Sequence, residues 1–442
     1  MAELIRTLRL RDMVLLVIGS VIGSGIFLVP GTILNQVDHS VVAAALVWVV
    51  GGILSLLGAL TYGELAAMKP EAGGLYIYIR DAFGALPAFL YGWSMLLAIA
   101  SGSVSALAVA FSTYLGAVVP LTPLAGKIVA VAMIAAVTAV NVLGTRRSSD
   151  VQNWTTLIKT LLVLGITVTL LALGRGYSGI PTALWPVTGS ESIVAKFGLA
   201  MIAVLWAYEG WHFVTYSAGE VVNPQKDFPR ALFSAVVFLV GLYLMANLAY
   251  LAALGPESAG HTETIAATSV ATVVGPRAAK IVALTILISV FSAANSVLLT
   301  APRVFYAMAA DGLFFRKLAE VHPRFHTPAI AVITLGAWSA VLACMGRFQQ
   351  LINYAIFVAW IFYGLAAAAI FYYRRRQPDL KRPYRVPGYP LTPLLFVAAA
   401  VALVLNVVIS SGKNAIVGLA MVALGLPVFL VWRKGNKLGT TT

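Results

Sequence analysis

The sequence predicts an all-α membrane protein that crosses the bilayer many times. Of its 442 residues, 60% are hydrophobic and only 10% are charged, and the mean hydropathy is +0.91. Apolar stretches of about 20 residues, the length that spans the hydrocarbon core as a helix, recur from one end of the chain to the other. A soluble protein of this size cannot hide that much apolar surface, so we predict a polytopic bundle of transmembrane helices.

Twelve such stretches follow one another with short polar loops between them. We predict helices near residues 12–35, 41–67, 84–118, 125–143, 155–174, 193–218, 229–254, 277–309, 328–345, 350–373, 390–410 and 414–432. No polar stretch is long enough for a soluble domain, so residues 1–442 are predicted to form a single membrane domain. The first apolar stretch has no Ala-x-Ala cleavage signal and is predicted to be retained.

The basic residues predict the orientation of the bundle. A formal net charge of +14 is compatible with nucleic-acid binding, but the Lys and Arg residues are concentrated in short loops on one side of the alternating helices. This is the positive-inside pattern, so we predict a plasma or inner membrane protein with both termini cytoplasmic and no nucleic-acid partner. Cys344 is the only cysteine, which excludes an internal disulfide.

Two of the predicted helices contain sequences that interrupt a helix. The first holds "GSVIGSGIF", residues 19–27, and the sixth holds "WAYEGWHFV", residues 206–214. They begin two consecutive five-helix sets, 12–174 and 193–373, with helices 11 and 12 at 390–432 outside the sets. Broken helices at matching positions indicate an inverted repeat with a binding site near the bilayer midplane. A small-residue packing face is the alternative for Gly19 and Gly23, but the extra glycine and Pro30 favour a break.

A break at residues 23–25 predicts a site for a zwitterion. It leaves backbone N–H groups unpaired at the start of the second half-helix, on Ser24, Gly25 and Ile26, and carbonyl groups unpaired at the end of the first, on Val21 and Ile22. The N–H groups attract anions and the carbonyl groups attract cations, with about 0.3–2 kcal/mol per charge from the helix dipole. An amino acid carries both charges about one peptide length apart and satisfies both ends. Carbonyl groups of residues 206–210 offer further acceptors for its ammonium group.

Seven motifs in order resemble a known family of transporters. These are "GSVIGSGIFLVPG", "YGELAAMKPEAGGLYIYIRDAFG", "WTTLIKTLLVLGI", "WAYEGWHFV", "EVVNPQKDFPRAL", "SAANSVLLTAPRVFYAMAADGLFF" and "RRRQPDLKRPYRVPGYP". They cover nearly the whole chain. The chain resembles the amino acid, polyamine and organocation transporter superfamily, and within it bacterial members of the L-type amino acid transporter family.

The resemblance implies a fold and an activity. The fold is LeuT-like, with a five-plus-five inverted repeat, helices 1 and 6 broken, and two appended helices. The activity is sodium-independent exchange of neutral L-amino acids by alternating access. No cofactor is expected, and the lipid bilayer surrounds the protein. The outer loop "GAVVPLTPLAGK" lacks the cysteine that joins heteromeric animal members to a heavy chain, so no disulfide-linked partner is expected.

The resemblance also implies site residues. By this resemblance, Gly23, Ser24 and Gly25 bind the substrate carboxylate. The carbonyl groups of Val21, Trp206 and Glu209 bind its ammonium group. The Trp206 ring is the aromatic gate. The full predicted substrate set is Val21, Ile22, Gly23, Ser24, Gly25, Ile26, Trp206, Glu209, Gly210, His212, Asn295 and Ala359. For Asn295, a hydrogen bond between helices is an equal alternative.

Lys159 and Glu209 are the ionisable residues predicted deep in the bilayer. Lys159 either snorkels to the interface or, as the resemblance implies, replaces a sodium ion by bridging helices 1 and 8. Loss of its proton on desolvation would be a way to couple transport to H⁺. Glu209 either pairs with another helix, handles a proton, or binds a cationic substrate side chain. Glu64 and Arg303 are expected to mark the cytoplasmic interface, with a gate ion pair as the alternative.

Other functions are weighed against exchange. A proton-coupled amino acid symporter and a cationic amino acid or polyamine transporter are alternatives within the same class. An amino acid sensor that does not transport is an alternative of a different class. A membrane enzyme is not expected, because the sequence shows no nucleophile triad and no metal set, and four histidines fall in predicted loops: His39, His261, His322 and His326.

Overall fold

The structure, a computed structural model, describes residues 4–116, 118–175, 193–262, 264–345, 348–410 and 412–438. These residues form helices and short connections, and the only β-pairing among them is an isolated bridge between Leu8 and Val221. The all-α prediction is confirmed for this part of the chain.

Eighteen α-helices follow one another in these ranges. They are α1 Leu10–Val21, α2 Gly25–Gln36, α3 Val41–Met68, α4 Leu75–Phe83, α5 Ala85–Ser94, α6 Ala100–Gly116, α7 Pro123–Val142, α8 Thr145–Leu173, α9 Ile193–Ala207, α10 Pro224–Gly260, α11 Ile265–Val273, α12 Ala279–Thr300, α13 Pro302–Ala310, α14 Ala329–Met345, α15 Phe348–Arg376, α16 Leu391–Ser410, α17 Gly412–Ala423 and α18 Gly425–Leu438. A π-helix, Met95–Ile99, joins α5 to α6, and a 3-10 helix, Phe213–Glu220, follows α9.

The apolar helices fall where the sequence predicts membrane spans. Eight described stretches are long and apolar enough to cross a bilayer: Val41–Met68, Ala85–Gly116, Pro123–Val142, Thr145–Leu173, Pro224–Gly260, Pro276–Ala310, Ile356–Arg376 and Leu391–Ile409. The pair α1 and α2 passes the same test as one span bent by 43°. Three shorter apolar helices occupy the positions of the predicted sixth, ninth and twelfth spans: Lys196–Ala207, Ala329–Met345 and Ile416–Trp432.

The first span is broken where the glycines and serines predict it. Helix α1 ends at Val21, because Ile22 has a non-helical backbone with ψ of 84°, and α2 begins at Gly25. A Cβ atom at Gly25 would lie 2.6 Å from the Cα atom of Ala207. Only glycine permits this approach, so the start of α2 lies directly against the end of α9.

The sixth span is broken at the same level. Helix α9 ends at Ala207, residues 208–212 form a turn, and the chain resumes as the 3-10 helix. Gly210 has a φ of +114°, and a Cβ atom there would lie 2.9 Å from the Cβ atom of Ser20 on α1. The two breaks therefore face each other and leave a small space between them.

Glu64 and Arg303 are both buried and each forms an ion pair, so neither is an unpaired charge that only marks the interface. Arg303 Nε lies 2.6 Å from Glu220 Oε2, and its Nη2 lies 2.8 Å from Thr145 Oγ1. The Arg303 and Glu220 side chains are both fully buried. Glu64 accepts two hydrogen bonds from the guanidinium group of Arg374, at 2.9 and 2.7 Å. These charges are buried because each is paired within the protein.

Candidate substrate site

A cavity of about 30 Å³ lies between the two breaks. Its walls come from α1, the Gly23–Gly25 break, α6, the end of α9, the following turn, the 3-10 helix and α12. The lining residues are Ser20, Val21, Gly23, Ser24, Gly25, Ser103, Leu107, Trp206, Glu209, Phe213, Ala293 and Val297. The space holds no more than a water or two, so any larger ligand requires the surrounding helices to separate.

The start of α2 gives this cavity an anion-binding wall. Ser24 is the N-cap residue of α2, and Ser24 and Gly25 both line the cavity. The Ser24 hydroxyl group is buried and has no hydrogen-bond partner among the described residues. An unpaired hydroxyl group beside the N-terminus of a 12-residue helix is suited to a carboxylate, because the helix end provides both N–H donors and positive partial charge.

The end of α1 differs from the prediction, because its carbonyl groups are already paired. Val21 O accepts hydrogen bonds from Tyr243 OH at 2.9 Å and from Gly23 N at 2.8 Å. Ile22 O accepts from Lys159 Nζ at 2.6 Å and from Ser289 Oγ at 2.8 Å. The expectation that Val21 and Ile22 offer free acceptors to a substrate ammonium group is therefore wrong. Side chains of the protein satisfy this end of the break.

The Lys159 side-chain nitrogen lies at this end of the break. It is fully buried and lies 2.7 Å from Gly19 O, 2.6 Å from Ile22 O and 3.4 Å from Ser289 O. It thus joins α8 to the broken end of α1 and to α12. Snorkelling to the interface is excluded by this burial, and the predicted bridge between the first and eighth spans is what the structure shows.

Comparison of the sequence with known proteins identifies the family of this chain. Residues 8–430 match the sequence profile of a family described as amino acid permeases. The chain belongs to this amino acid permease family. The resemblance found in the sequence is thereby confirmed. The family match and the apolar helices together show an integral membrane protein with a transport role rather than an enzyme.

Individual relatives in this permease family are similar over most of their length. The serine/threonine exchanger SteT of Bacillus subtilis is 33% identical over 95% of this chain and 95% of its own. The human b(0,+)-type amino acid transporter 1 is 32% identical over 89% of this chain and 81% of its own. The human cystine/glutamate transporter is 30% identical over 98% of this chain and 87% of its own.

Glu209 and Trp206 line the cavity of this permease, as the sequence predicts. Tyr363 OH, on α15, donates a hydrogen bond to Glu209 Oε1 at 2.5 Å. The carboxylate therefore pairs with another helix, which was one of the alternatives for it. The Trp206 carbonyl group accepts the Glu209 N–H at 3.1 Å, as part of the turn that ends α9.

Six residues of the predicted set do not line the cavity: Ile22, Ile26, Gly210, His212, Asn295 and Ala359. Asn295 lies in a buried network, with its Oδ1 2.9 Å from Asn141 Nδ2 and its Nδ2 3.0 Å from Gln152 Oε1. The alternative of a hydrogen bond between helices is therefore confirmed for Asn295. The His212 ring packs 4.2 Å from the Tyr363 ring, between centroids, instead of facing the cavity.

Six lining residues were missed by the sequence: Ser20, Ser103, Leu107, Phe213, Ala293 and Val297. Ser20 forms a hydrogen bond with Ser296 on α12 through its hydroxyl group, and Ser103 donates one to Ile99 O at the end of the preceding π-helix. Small and apolar residues such as these are common throughout a membrane bundle. Only their positions opposite the breaks distinguish them, and positions of this kind are set by how the helices pack.

Proposed function

We propose that this permease is a sodium-independent exchanger of neutral L-amino acids that works by alternating access. The observation that carries the proposal is the buried Lys159 ammonium group at the broken end of α1. A fixed cation bonded to the Gly19 and Ile22 carbonyl groups occupies the acceptors that a sodium ion would need there. Binding of Na⁺ at that position would also place two positive charges together in a medium of low dielectric constant.

The proposed architecture is a LeuT-like bundle of twelve spans. The bent pair α1 and α2, the broken sixth span and the matching order of the other apolar helices support it. Residues 12–174 and 193–373 are the two proposed repeats, and residues 390–432 form the appended helices. The basic loops support cytoplasmic termini in a plasma membrane, because positive residues are retained on that side.

The substrate is proposed to lie between the two breaks. Its carboxylate binds the N–H groups of residues 24–26 and the free Ser24 hydroxyl group. Its ammonium group faces the Trp206–Glu209 turn, because the Val21 and Ile22 carbonyl groups each already accept two hydrogen bonds. Ser103 and Ala293 are small, whereas Leu107, Phe213 and Val297 fill space in the same lining, which favours a small side chain. The Bacillus relative, a serine/threonine exchanger, agrees with that size.

Flux measurements in liposomes test this function. The purified protein is reconstituted with or without internal unlabelled serine, and uptake of labelled serine, threonine, leucine and arginine is followed with and without sodium and a pH gradient. We expect uptake of the small neutral substrates only when internal amino acid is present, with no effect of sodium. Uptake into empty liposomes driven by the pH gradient would instead establish a proton symporter. Binding without any flux would establish a sensor, and preference for arginine a cationic transporter.

A lysine variant tests the observation that carries the proposal. Lys159→Ala leaves the Gly19 and Ile22 carbonyl groups unpaired, so we expect sodium-independent uptake to be lost and any remaining uptake to depend on sodium. Lys280→Ala, which removes an exposed lysine, is the matched control and should retain the wild-type rate. Thermal unfolding of each variant in detergent separates loss of transport from loss of folding. Normal sodium-independent uptake by folded Lys159→Ala would contradict the assigned role.

A further inference from the structure

Two histidines and a glutamate meet on the face of the bundle opposite the N-terminus of α1. His39 lies in the turn between α2 and α3, and Glu257 and His261 lie one helical turn apart at the end of α10. One ligand atom from each of the three residues lies within 4.8 Å of the others. The sequence predicted no metal set, because four histidines fall in predicted loops. The fold brings two of them together with a carboxylate.

The backbone is shaped to bring these side chains together. Asp38 and His39 have φ values of +53° and +60°, a left-handed conformation that turns the chain sharply after α2. Gly255, with a φ of +72°, interrupts α10 and redirects its last turn. A Cβ atom at Gly260 would lie 2.3 Å from His39 Cδ2, so only glycine lets the His39 ring lie here.

Each of the two rings keeps one nitrogen atom outside the hydrogen bonds that the described residues form. His261 Nδ1 lies 2.8 Å from the carbonyl oxygen of Glu257 and donates to it, so the neutral ring carries its lone pair on Nε2. His39 Nε2 is buried with no hydrogen-bond partner in the described part of the chain. The two rings are stacked with centroids 4.7 Å apart and an interplanar angle of 15°. A metal ion lies in the plane of each imidazole ring that binds it, so binding requires the exposed His261 ring to turn out of this stack.

We propose that His39, Glu257 and His261 form a binding site for a divalent transition metal ion, with Zn²⁺ as the reference case. Two imidazole nitrogens and one carboxylate oxygen are a donor set that suits Zn²⁺, with water in the fourth position. Bonds of about 2.0–2.2 Å require ligand atoms about 3.4 Å apart. The Glu257 and His261 side chains are 78% and 64% exposed, so they are free to rotate and close that distance.

The metal ion would tie two elements together. Helix α2 and the end of α10 are already in close backbone contact, since a Cβ atom at Gly31 would lie 2.4 Å from the Thr262 carbonyl oxygen. A metal ion bound to His39 on one side and to Glu257 and His261 on the other adds a cross-link beside this contact. The site therefore joins the outer half of the broken first span to the seventh span.

Zinc binding to the purified protein tests the site without any transport measurement. The protein carries a purification tag free of histidine, is stripped with EDTA, and is titrated with Zn²⁺ by calorimetry and by thermal unfolding. We expect one saturable site that raises the unfolding temperature. Ligand loss in His261→Ala or Glu257→Gln should weaken binding by roughly tenfold or more. Both side chains are exposed, so both variants are expected to fold.

Asp38→Asn is the matched control. Asp38 is next to His39 and pairs with Lys196 at 2.8 Å instead of facing the cluster. Its removal lowers the negative charge of the same surface while keeping the three ligands, so zinc affinity should stay within about twofold of the wild-type value. Equal zinc affinity in the wild type and in His261→Ala, or no saturable site in the wild type, would overturn the proposal.

The cross-link predicts an effect on transport, and this step rests on the proposed function. External Zn²⁺ should slow exchange in liposomes, EDTA should restore it, and His261→Ala should be insensitive. Exchange that is unchanged by Zn²⁺ at a saturated site would overturn the cross-link while the binding data still stand. Absence of exchange under all conditions would overturn the proposed function instead, because zinc binding is measured separately.

Discussion

Individual side chains take over the hydrogen bonding that a continuous helix would provide. At the break after α1, Lys159, Ser289 and Tyr243 supply donors to carbonyl groups that have lost their helical partners. At the start of α2, the Ser24 hydroxyl group is left unpaired. The two ends of the break therefore differ. The carbonyl groups at the end of α1 have donors from the protein, whereas the Ser24 hydroxyl group at the start of α2 is left for a ligand. This difference is expected of a site that binds a carboxylate.

The pair of Glu209 and Tyr363 makes a prediction about pH. Glu209→Gln replaces the charged acceptor of the Tyr363 hydroxyl group by a neutral one, which weakens this hydrogen bond by about 1 kcal/mol, so we expect substrate affinity to fall by roughly fivefold. Because the proposed reaction is exchange, the pH dependence of uptake should keep its wild-type shape. Initial rates between pH 5 and 8 are the measurement.

Tyr363→Phe controls for the lost hydrogen bond. It removes the hydroxyl donor and keeps the carboxylate, so its substrate affinity should fall by at least as much as in Glu209→Gln. A profile that becomes flat in Glu209→Gln but not in Tyr363→Phe would assign a proton-carrying role to the carboxylate and favour symport.

Single residues also show which features of the site can be predicted from the sequence. The break at residues 23–25 is predicted because glycine and serine weaken a helix locally, and local effects are readable in a local pattern. The pairing of Val21 with Tyr243 joins residues far apart in the chain and has no local signal. The same distinction explains why Ser24 and Trp206 were predicted at the cavity, whereas Phe213 and Val297 were missed.

At the scale of elements, the described helices are joined by buried polar contacts near their ends. Arg303 at the start of α13 bonds Glu220 at the end of the 3-10 helix and Thr145 at the start of α8. The backbone N–H groups of Thr7 and Leu8 both bond the Glu220 carbonyl oxygen at 2.9 Å. Four separate segments therefore meet at one residue. The helix positions were predictable from apolar length, but this junction depends on contacts across the fold.

The Arg303 and Glu220 pair makes a prediction about stability. Arg303→Met leaves the buried Glu220 carboxylate without its partner, so we expect destabilisation by roughly 3–5 kcal/mol, and Glu220→Met should cost a similar amount. The double variant removes both charges and should be less destabilised than either single variant. Thermal unfolding in detergent is the measurement.

Asp38→Asn provides the comparison for a pair in contact with water. It breaks the pair with Lys196 and should change stability by less than about 1 kcal/mol. Additive losses in the double Met variant would show that the two buried charges do not depend on each other.

At the scale of the whole molecule, the helices pack so that apolar side chains face outward and charged side chains face inward. Apolar side chains such as Trp154, Leu161 and Val168 are exposed along one side of α8, where lipid would contact them, while Lys159 on the same helix is fully buried. A membrane helix that turns its charge inward and its apolar face outward is stable only in a bilayer. Length and hydropathy were enough to predict the bundle of apolar helices, because they act on every span alike, whereas the burial of Lys159 was implied only by the family resemblance.

The proposed orientation makes a prediction about labelling. Cys344 is the only cysteine of the chain, is exposed, and lies next to Met345 at the end of α14. With both termini cytoplasmic, this end faces the outside, because the preceding loop carries the basic residues that stay inside. A membrane-impermeant maleimide should therefore label Cys344 in intact right-side-out vesicles.

A second cysteine position makes the labelling experiment decisive. In a Cys344→Ser background, Asp379→Cys places a thiol group on the exposed loop between α15 and α16, which the positive-inside pattern assigns to the cytoplasm. It should react only after the vesicles are permeabilised, and Cys344→Ser alone should not react at all. The reverse pattern of labelling would invert the bundle. It would then place the His39, Glu257 and His261 cluster in the cytoplasm, where external Zn²⁺ does not reach it, so the sidedness of zinc inhibition and the sidedness of labelling must agree.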